Sequence, residues 1–327
     1  MAVVKDDAYG HGLESVLPVL VDEGVTRFGA LDLPGALRVR RQVPGSRVFA
    51  WVFDRGDDLS EALRQQIDIG VTDVPVLERV AAAAAVAVAG TPPARIHLKL
   101  DTGLHRAGVL AGDWEHFVNL AAELQRSGLV IVSGLWTHLA EESHDDDSRS
   151  IAEYREGLAV AEAHGLRTAT RHIAASAASY DREDARFDMV RVGAFLYGIA
   201  PGGGIGPEDL GLRPVMTLRA PIRQIRQAGE RMLAAVGIGG ASGILADAVG
   251  TVSVALAGRR YLVVAVEPTF LLVDVTGADA TVGDTVTLFG DGSAGEPTLK
   301  DWADGMGTIG EEVVTRLSSL ISRIRID

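Results

Sequence analysis

The feature that most limits what this chain can fold into is an alternation along its first two-thirds, where short apolar runs take turns with longer amphipathic stretches. The runs that read as strands are Ala2–Lys5, Arg27–Leu31, Arg47–Val52, Ile67–Thr72, Ile96–Leu100, Leu129–Thr137, Arg171–Ala174 and Met189–Val192. Between them, Gly12–Asp22, Leu59–Gln65, Val76–Ala89, Trp114–Ser127 and Ser148–His164 have helix-like spacing. Strand and helix in strict turn imply a parallel sheet with crossover helices. Eight strands predict an α/β fold of the (β/α)8 TIM-like kind, with its chemistry at the C-terminal strand ends. An open, doubly wound sheet shares the alternation and is the alternative.

Beyond Pro201 the pattern changes. Gly202-Gly203-Gly204 and Pro207 mark a loop, after which extended runs dominate: Val215–Arg226, Thr251–Ala257, Tyr261–Val266, Phe270–Val275 and Thr285–Phe289. A final stretch, Glu311–Leu320, has helical spacing. The expected organisation is a barrel over residues 1–205 and a mostly β C-terminal domain over 212–327.

Charge and composition remove several classes of function. A formal net charge of −13 without any Lys/Arg run speaks against a nucleic-acid partner. With no cysteine there is no disulfide, thiolate metal site or thiol nucleophile. The apolar stretch Ala81–Gly90 is too short and alanine-rich to span a membrane. The expectation is a cytoplasmic protein with no membrane partner. Gly237–Gly243 looks superficially like a phosphate loop but lacks the lysine that such loops carry. Glu141-Glu142 and His144–Asp147 could imitate a metal cluster; an acidic loop opening a helix explains them better, and no metal is expected.

The chemistry begins at the first strand, Ala2-Val3-Val4-Lys5-Asp6-Asp7-Ala8-Tyr9-Gly10-His11-Gly12. A lysine at the end of a buried strand can be desolvated, which lowers its pKa toward that of a useful amine base. This string resembles the lysine signature of the alanine racemase family of pyridoxal-phosphate enzymes. The resemblance implies that Lys5 forms the covalent link to the cofactor and that Tyr9 contacts its phosphate. Lys99-Leu100-Asp101-Thr102-Gly103-Leu104-His105-Arg106 is similar to a second family motif. It implies that Arg106 reaches the cofactor's phenolic oxygen, oriented by Lys99, which is often carbamylated in the family. His105 stands where the family has glycine, so the local turn is expected to differ. Thr137-His138-Leu139-Ala140 resembles the segment whose histidine packs on the cofactor ring. In His172–Ala178 the phosphate-binding serine is Ser176, with Ala175 in place of an asparagine. Asp188–Gly198 matches the signature that supplies Arg191, Gly193, Ala194 and Tyr197. Arg191 would face the pyridine nitrogen and disfavour its protonation, limiting side reactions, while Gly193 and Ala194 would offer N–H groups to the phosphate.

By resemblance, Lys5, Arg106 and His138 are the catalytic residues, the substrate is a small amino acid with alanine the default, and a homodimer builds the site. The family's second base is a tyrosine from the partner's β domain. Here its position falls on Ile238, within Val236-Gly237-Ile238-Gly239-Gly240-Ala241, and isoleucine cannot move a proton. Glu311 replaces another family tyrosine, and Glu267–Thr269 stands where the family reads Cys-Met-Asp. The stretch after Gly229-Glu230 is shorter than usual. The family also has a strand and helix ahead of the lysine strand, and a chain lacking them should leave its β domain without an edge strand and its barrel less closed. The default reading is therefore amino-acid racemisation through Lys5. The alternatives are a one-base pyridoxal-phosphate enzyme (decarboxylation, transamination or elimination) or a non-catalytic relative that binds the cofactor.

Overall fold

The structure is a computed structural model that describes all residues except Arg55, Ala89, Thr168, Gly202, Gly203 and Asp327. Two glycines of the expected Gly202–Gly204 loop and the end of the expected helix at Ala89 thus lie outside the described residues. The chain divides into two compact units, one of Met1–Asp6 with Val16–Gly193 and one of Asp7–Ser15 with Ala194–Asp327. Among the described residues no helix is long and apolar enough to cross a membrane.

In the first unit, β1 (Ala2–Val3), β2 (Arg27–Asp32), β3 (Arg47–Val52), β4 (Ile67–Val71), β5 (Ala94–Lys99), β6 (Val130–Trp136) and β7 (Thr170–His172) pair in sequence order, all parallel. Such a sheet buries both faces, and β4 (Ile-Asp-Ile-Gly-Val) is buried along its whole length. The expected eighth strand is the one correction: Met189–Val192 forms no strand. It makes a single parallel bridge, Val192 to Ala2, with Val3 N donating to Val192 O at 2.8 Å. Arg191 N donates to Ala174 O at 3.0 Å on its other side, so the segment occupies the eighth place without the length for a ladder.

The helices follow their strands, with Asp7–Ser15, most of the first helix and the start of the second, belonging to the second unit. The chain-initial turn α1 (Lys5–Tyr9) leads into α2 (Leu13–Asp22), followed by α3 (Leu33–Gln42), α4 (Leu59–Arg64), α5 (Val74–Ala85), α6 (Ala111–Arg126), α7 (His144–Ala163) and α8 (Ser176–Asp181). Short polar side chains start them: Asp32 accepts from Gly35 N and Asp73 from Val76 N, both at 2.8 Å, each with a proline just inside the helix. The acidic run His144–Asp147 is the first turn of α7, capped by Ser143.

The turn α1 is unusual. Asp6, Asp7, Ala8 and Tyr9 all have φ between 52° and 57°, a left-handed turn built without glycine. An L-residue pays roughly 1–2 kcal/mol for that conformation, so four in a row store energy that the surroundings must supply.

The second unit is antiparallel. β8 (Leu218–Ala228), β9 (Arg231–Val236), β10 (Ser253–Leu256), β11 (Arg259–Val266), β12 (Leu271–Asp274) and β13 (Thr285–Phe289) close into a barrel in the order β10-β11-β12-β9-β8-β13. The expected loss of an edge strand is not met, because the ring closes on the strands present. Two short helices follow, α9 (Leu299–Met306) and α10 (Gly310–Thr315). The first carries a reciprocal Thr298–Asp301 capping box and ends on left-handed Gly307.

Candidate active site

The first unit gathers its polar chemistry where the strands end. Lys5 follows β1, half-buried, with its Nζ 3.9 Å from Asp6 Oδ2. Lys99 ends β5 and His138 follows β6. Arg191 sits in the bridging eighth segment, buried among carbonyls and imidazoles. Its Nη2 donates to Thr137 O, Ile173 O and His138 Nδ1, all at 2.9 Å, and its Nη1 donates to His172 Nδ1 at 3.1 Å. An arginine has no lone pair to offer, so both imidazole nitrogens facing it are acceptors. His138 therefore carries its proton on Nε2.

The electrostatics agree. Burial, then the charges of Arg191, Arg106, Lys99 and Lys5, hold the His138 pKa well below the usual imidazole value. Burial brings Arg191 down to about 10, still charged at neutral pH. Burial and the neighbouring Arg106 and Arg191 bring Lys99 from 10.5 to about 8. Lys99 Nζ and the Arg191 guanidinium lie 4.8 Å and 5.2 Å from the Trp136 ring centroid. Four cationic side chains thus share one neighbourhood around a neutral histidine, a field suited to anionic groups.

Ser176 opens α8, and its Oγ accepts from Gly193 N at 3.0 Å. Arg106 lies on the exposed turn after Leu104. His105, in the place of a glycine, adopts a glycine-like conformation after all, with φ 49°. Asp101 pays for it, accepting from His105 N at 3.0 Å and pairing with Nδ1 at 3.2 Å. The turn is thus a left-handed one carried by a histidine.

The remaining residues expected at the site belong to the second unit. Tyr9 and Tyr197 are buried with ring centroids 5.0 Å apart, and His11 stacks on Tyr197 at 4.6 Å. Burial raises the Tyr197 pKa far above its usual value. Ala194 begins the 3-10 turn Ala194–Tyr197 and is buried. Ile238 is buried just after β9, its N–H turned back to Val236 O.

Three polar residues in the barrel interior escape a reading by motif: Asp68, His97 and the role of His172. Their signal was a polar residue inside an otherwise apolar strand, Asp68 in Ile-Asp-Ile-Gly-Val and His97 in Ile-His-Leu-Lys.

Comparison with known proteins meets this geometry. The profile of "Alanine racemase, N-terminal domain" matches residues 1–201, and that of "Alanine racemase, C-terminal domain" matches residues 215–325. The chain belongs to the alanine racemase family. Among curated relatives, the alanine racemase of Streptomyces coelicolor is 38% identical, with 100% of this chain and 89% of that protein covered. That of Salinispora tropica is 39% identical over 98% of this chain and 89% of its own length. Among solved structures, the Streptomyces lavendulae alanine racemase superposes with TM-score 0.92 at 35% identity, covering 98% of this chain and 88% of that one. The Pseudomonas aeruginosa biosynthetic alanine racemase superposes with TM-score 0.84 at 27% identity, covering 98% and 90%. The barrel and the antiparallel domain that follows it are the alanine racemase fold.

Proposed function

We propose that the protein is a pyridoxal-phosphate-dependent racemase of a small amino acid, alanine by default, with Lys5 as its base. The observation that carries this reading is the cationic cluster of Lys5, Lys99, Arg106 and Arg191 around neutral His138, in a chain of the alanine racemase family. The donor set fits the cofactor: a primary amine, a buried guanidinium, and a hydroxyl paired with a backbone N–H. Lys5 would attach it, and Ser176 and Gly193 would serve its phosphate. His138 would pack on its ring, Arg191 would face its pyridine nitrogen and Arg106 its phenolic oxygen. When bound, pyridoxal phosphate supplies the electron sink that acidifies the amino acid's Cα hydrogen.

Lys5 Nζ takes and returns that proton on one face. Arg191 keeps its charge fixed through four hydrogen bonds to this chain. Lys99 is still mostly protonated at neutral pH, but its pKa of about 8 gives it far more free amine than an ordinary lysine. That amine is poised to take up carbon dioxide as a carbamate, releasing its protons, and so turn a repelling cation into an anion that orients Arg106. The position of Ile238 offers no proton carrier for the opposite face. We further propose a cytoplasmic homodimer.

Purified protein given pyridoxal phosphate should show a visible absorption band that Lys5→Ala lacks, and should interconvert L- and D-alanine. If wild type and Lys5→Ala give the same spectrum, the assignment of Lys5 is lost.

A further inference from the structure

A chain of buried hydrogen bonds leaves the Arg191 guanidinium on the side away from His138 and crosses the barrel interior. Arg191 Nη1 meets His172 Nδ1 at 3.1 Å, His172 Nε2 meets His97 Nδ1 at 2.8 Å, and His97 Nε2 meets Asp68 Oδ2 at 3.3 Å. Arg95 Nε closes the far end on Asp68 Oδ1 at 2.8 Å. His172 is the last residue of β7, whereas Asp68 and Arg95 are second in β4 and β5. The chain therefore runs from the C-terminal strand ends, where the chemistry lies, to the opposite rim.

Only one arrangement of protons satisfies it. Arg191 has donors alone, so His172 Nδ1 accepts. A neutral His172 then carries its proton on Nε2 and donates to His97 Nδ1. His97 in turn carries its proton on Nε2 and donates to the Asp68 carboxylate. Were His97 an imidazolium, its Nδ1–H would face His172 Nε2, and His172 would need to be without a proton on either nitrogen. Both histidines are thus neutral. Burial pushes His172 well below the usual imidazole pKa and His97 below it too. Burial opposes ionisation of Asp68, but His97 and Arg95 outweigh it and leave the carboxyl below its usual range.

The packing holds this geometry. The His97 ring lies 4.6 Å from Phe49 and the His172 ring stacks on Trp136 at 5.7 Å. Gly134, directly across in β6, leaves the space for His97: a Cβ there would come within 2.6 Å of its ring carbons.

We propose that Asp68 and His97 are positioning residues for Arg191, acting through His172 as a carboxylate-anchored imidazole relay. Each link fixes the tautomer of the next, so the lone pair offered to Arg191 Nη1 has a set direction and is strengthened by the anion behind it. The consequence for catalysis rests on the racemase reading; the proton arrangement does not.

The test uses 15N-histidine-labelled holoenzyme and two substitutions of opposite character. In wild type, the nitrogen shifts of His97 and His172 should report neutral Nε2–H tautomers from about pH 6 to about pH 9. An Nδ1–H tautomer or an imidazolium at either residue overturns the proposal, whatever the variants do. His97→Phe fills the space but offers no acceptor, so the His172 Nε2–H should lose its partner and its nitrogen shift should move, and kcat should fall about tenfold with little change in KM, the effect of one lost charge-assisted link. His97→Gln packs less well but can accept from His172 and donate to Asp68, and should restore both signals. If Phe matches or exceeds Gln, His97 merely fills space and the proposal fails. If wild type shows no cofactor band and no racemisation, the functional reading fails instead, while the nitrogen shifts still decide the relay.

Discussion

Lys99 gives the most quantitative test. It is buried beside Arg106 and Arg191, which with burial bring its pKa from 10.5 to about 8. At 1.36 kcal/mol per pH unit, folding with this ammonium protonated costs on the order of 3 kcal/mol at pH 7. Between pH 8 and 10.5 the unfolded chain binds a proton that the folded one has released, so stability rises with pH there; below pH 8 the penalty is present in full. Lys99→Met keeps the length of the side chain and removes the titration. The variant should therefore gain on wild type at pH 7 and lose most of that gain by pH 10. Packing shifts both points alike, and any cation–π contact with Trp136 is already contained in the shifted pKa, so the quantity to measure is the change in the gap, roughly 2–3 kcal/mol. Urea unfolding of both proteins in degassed buffer at the two pH values measures it. Parallel stability curves would refute the claim that Lys99 is held as a strained cation. In bicarbonate buffer, wild type should gain the mass of one carbon dioxide and Lys99→Met should not.

Three further outcomes are expected. On the proposed reading, in which Ile238 leaves one face without a base, exchange of the Cα hydrogen in deuterated water should be faster for one enantiomer of alanine by about 10²-fold, the worth of a positioned acid or base; equal fast exchange of both would show a second base elsewhere. His105→Gly should raise stability by up to about 1 kcal/mol, since relief of the left-handed residue outweighs an exposed contact with Asp101, and a fall in the urea midpoint would show that Asp101 needs His105. Gly134→Ala should cost about 1–3 kcal/mol by driving a methyl into the His97 ring, read from the same unfolding curves; an unchanged midpoint would mean that the ring has room to move.

What the sequence revealed, and what it hid, follows from how local each signal is. Seven barrel strands were legible because parallel strands buried on both faces are mostly apolar, as Val48–Ala50 is throughout and Ile67–Val71 is apart from Asp68. The eighth was overdrawn, since Met189–Val192 has a strand's composition but exchanges only bridge-like bonds with its neighbours. Helix α3 was unannounced, because Leu-Pro-Gly-Ala-Leu-Arg-Val-Arg-Arg-Gln carries two helix breakers in its first turn. Strand β9 begins on Arg-Met and directly follows the turn after β8, so it did not stand apart as an apolar run. The residues proposed for the site were read as linear motifs. The relay behind Arg191 was not, because Asp68, His97 and His172 meet only when three separate strands are laid side by side. Nor was the left-handed turn at Asp6–Tyr9, where no glycine gives it away.

The makeup of the second unit has a consequence for the order of events during synthesis. Asp7–Ser15 packs with residues translated long after it: Arg323 Nε donates to Gly10 O at 3.0 Å, and Gly10 closes against the backbone of Val314. The strained segment next to Lys5 cannot acquire these restraints until the chain has been made as far as Arg323. The barrel can condense while translation continues, but the residues that follow Lys5 must wait for Val314 and Arg323. A chain stopped short of Arg323 would then hold a folded barrel with its amine on an unsecured tether.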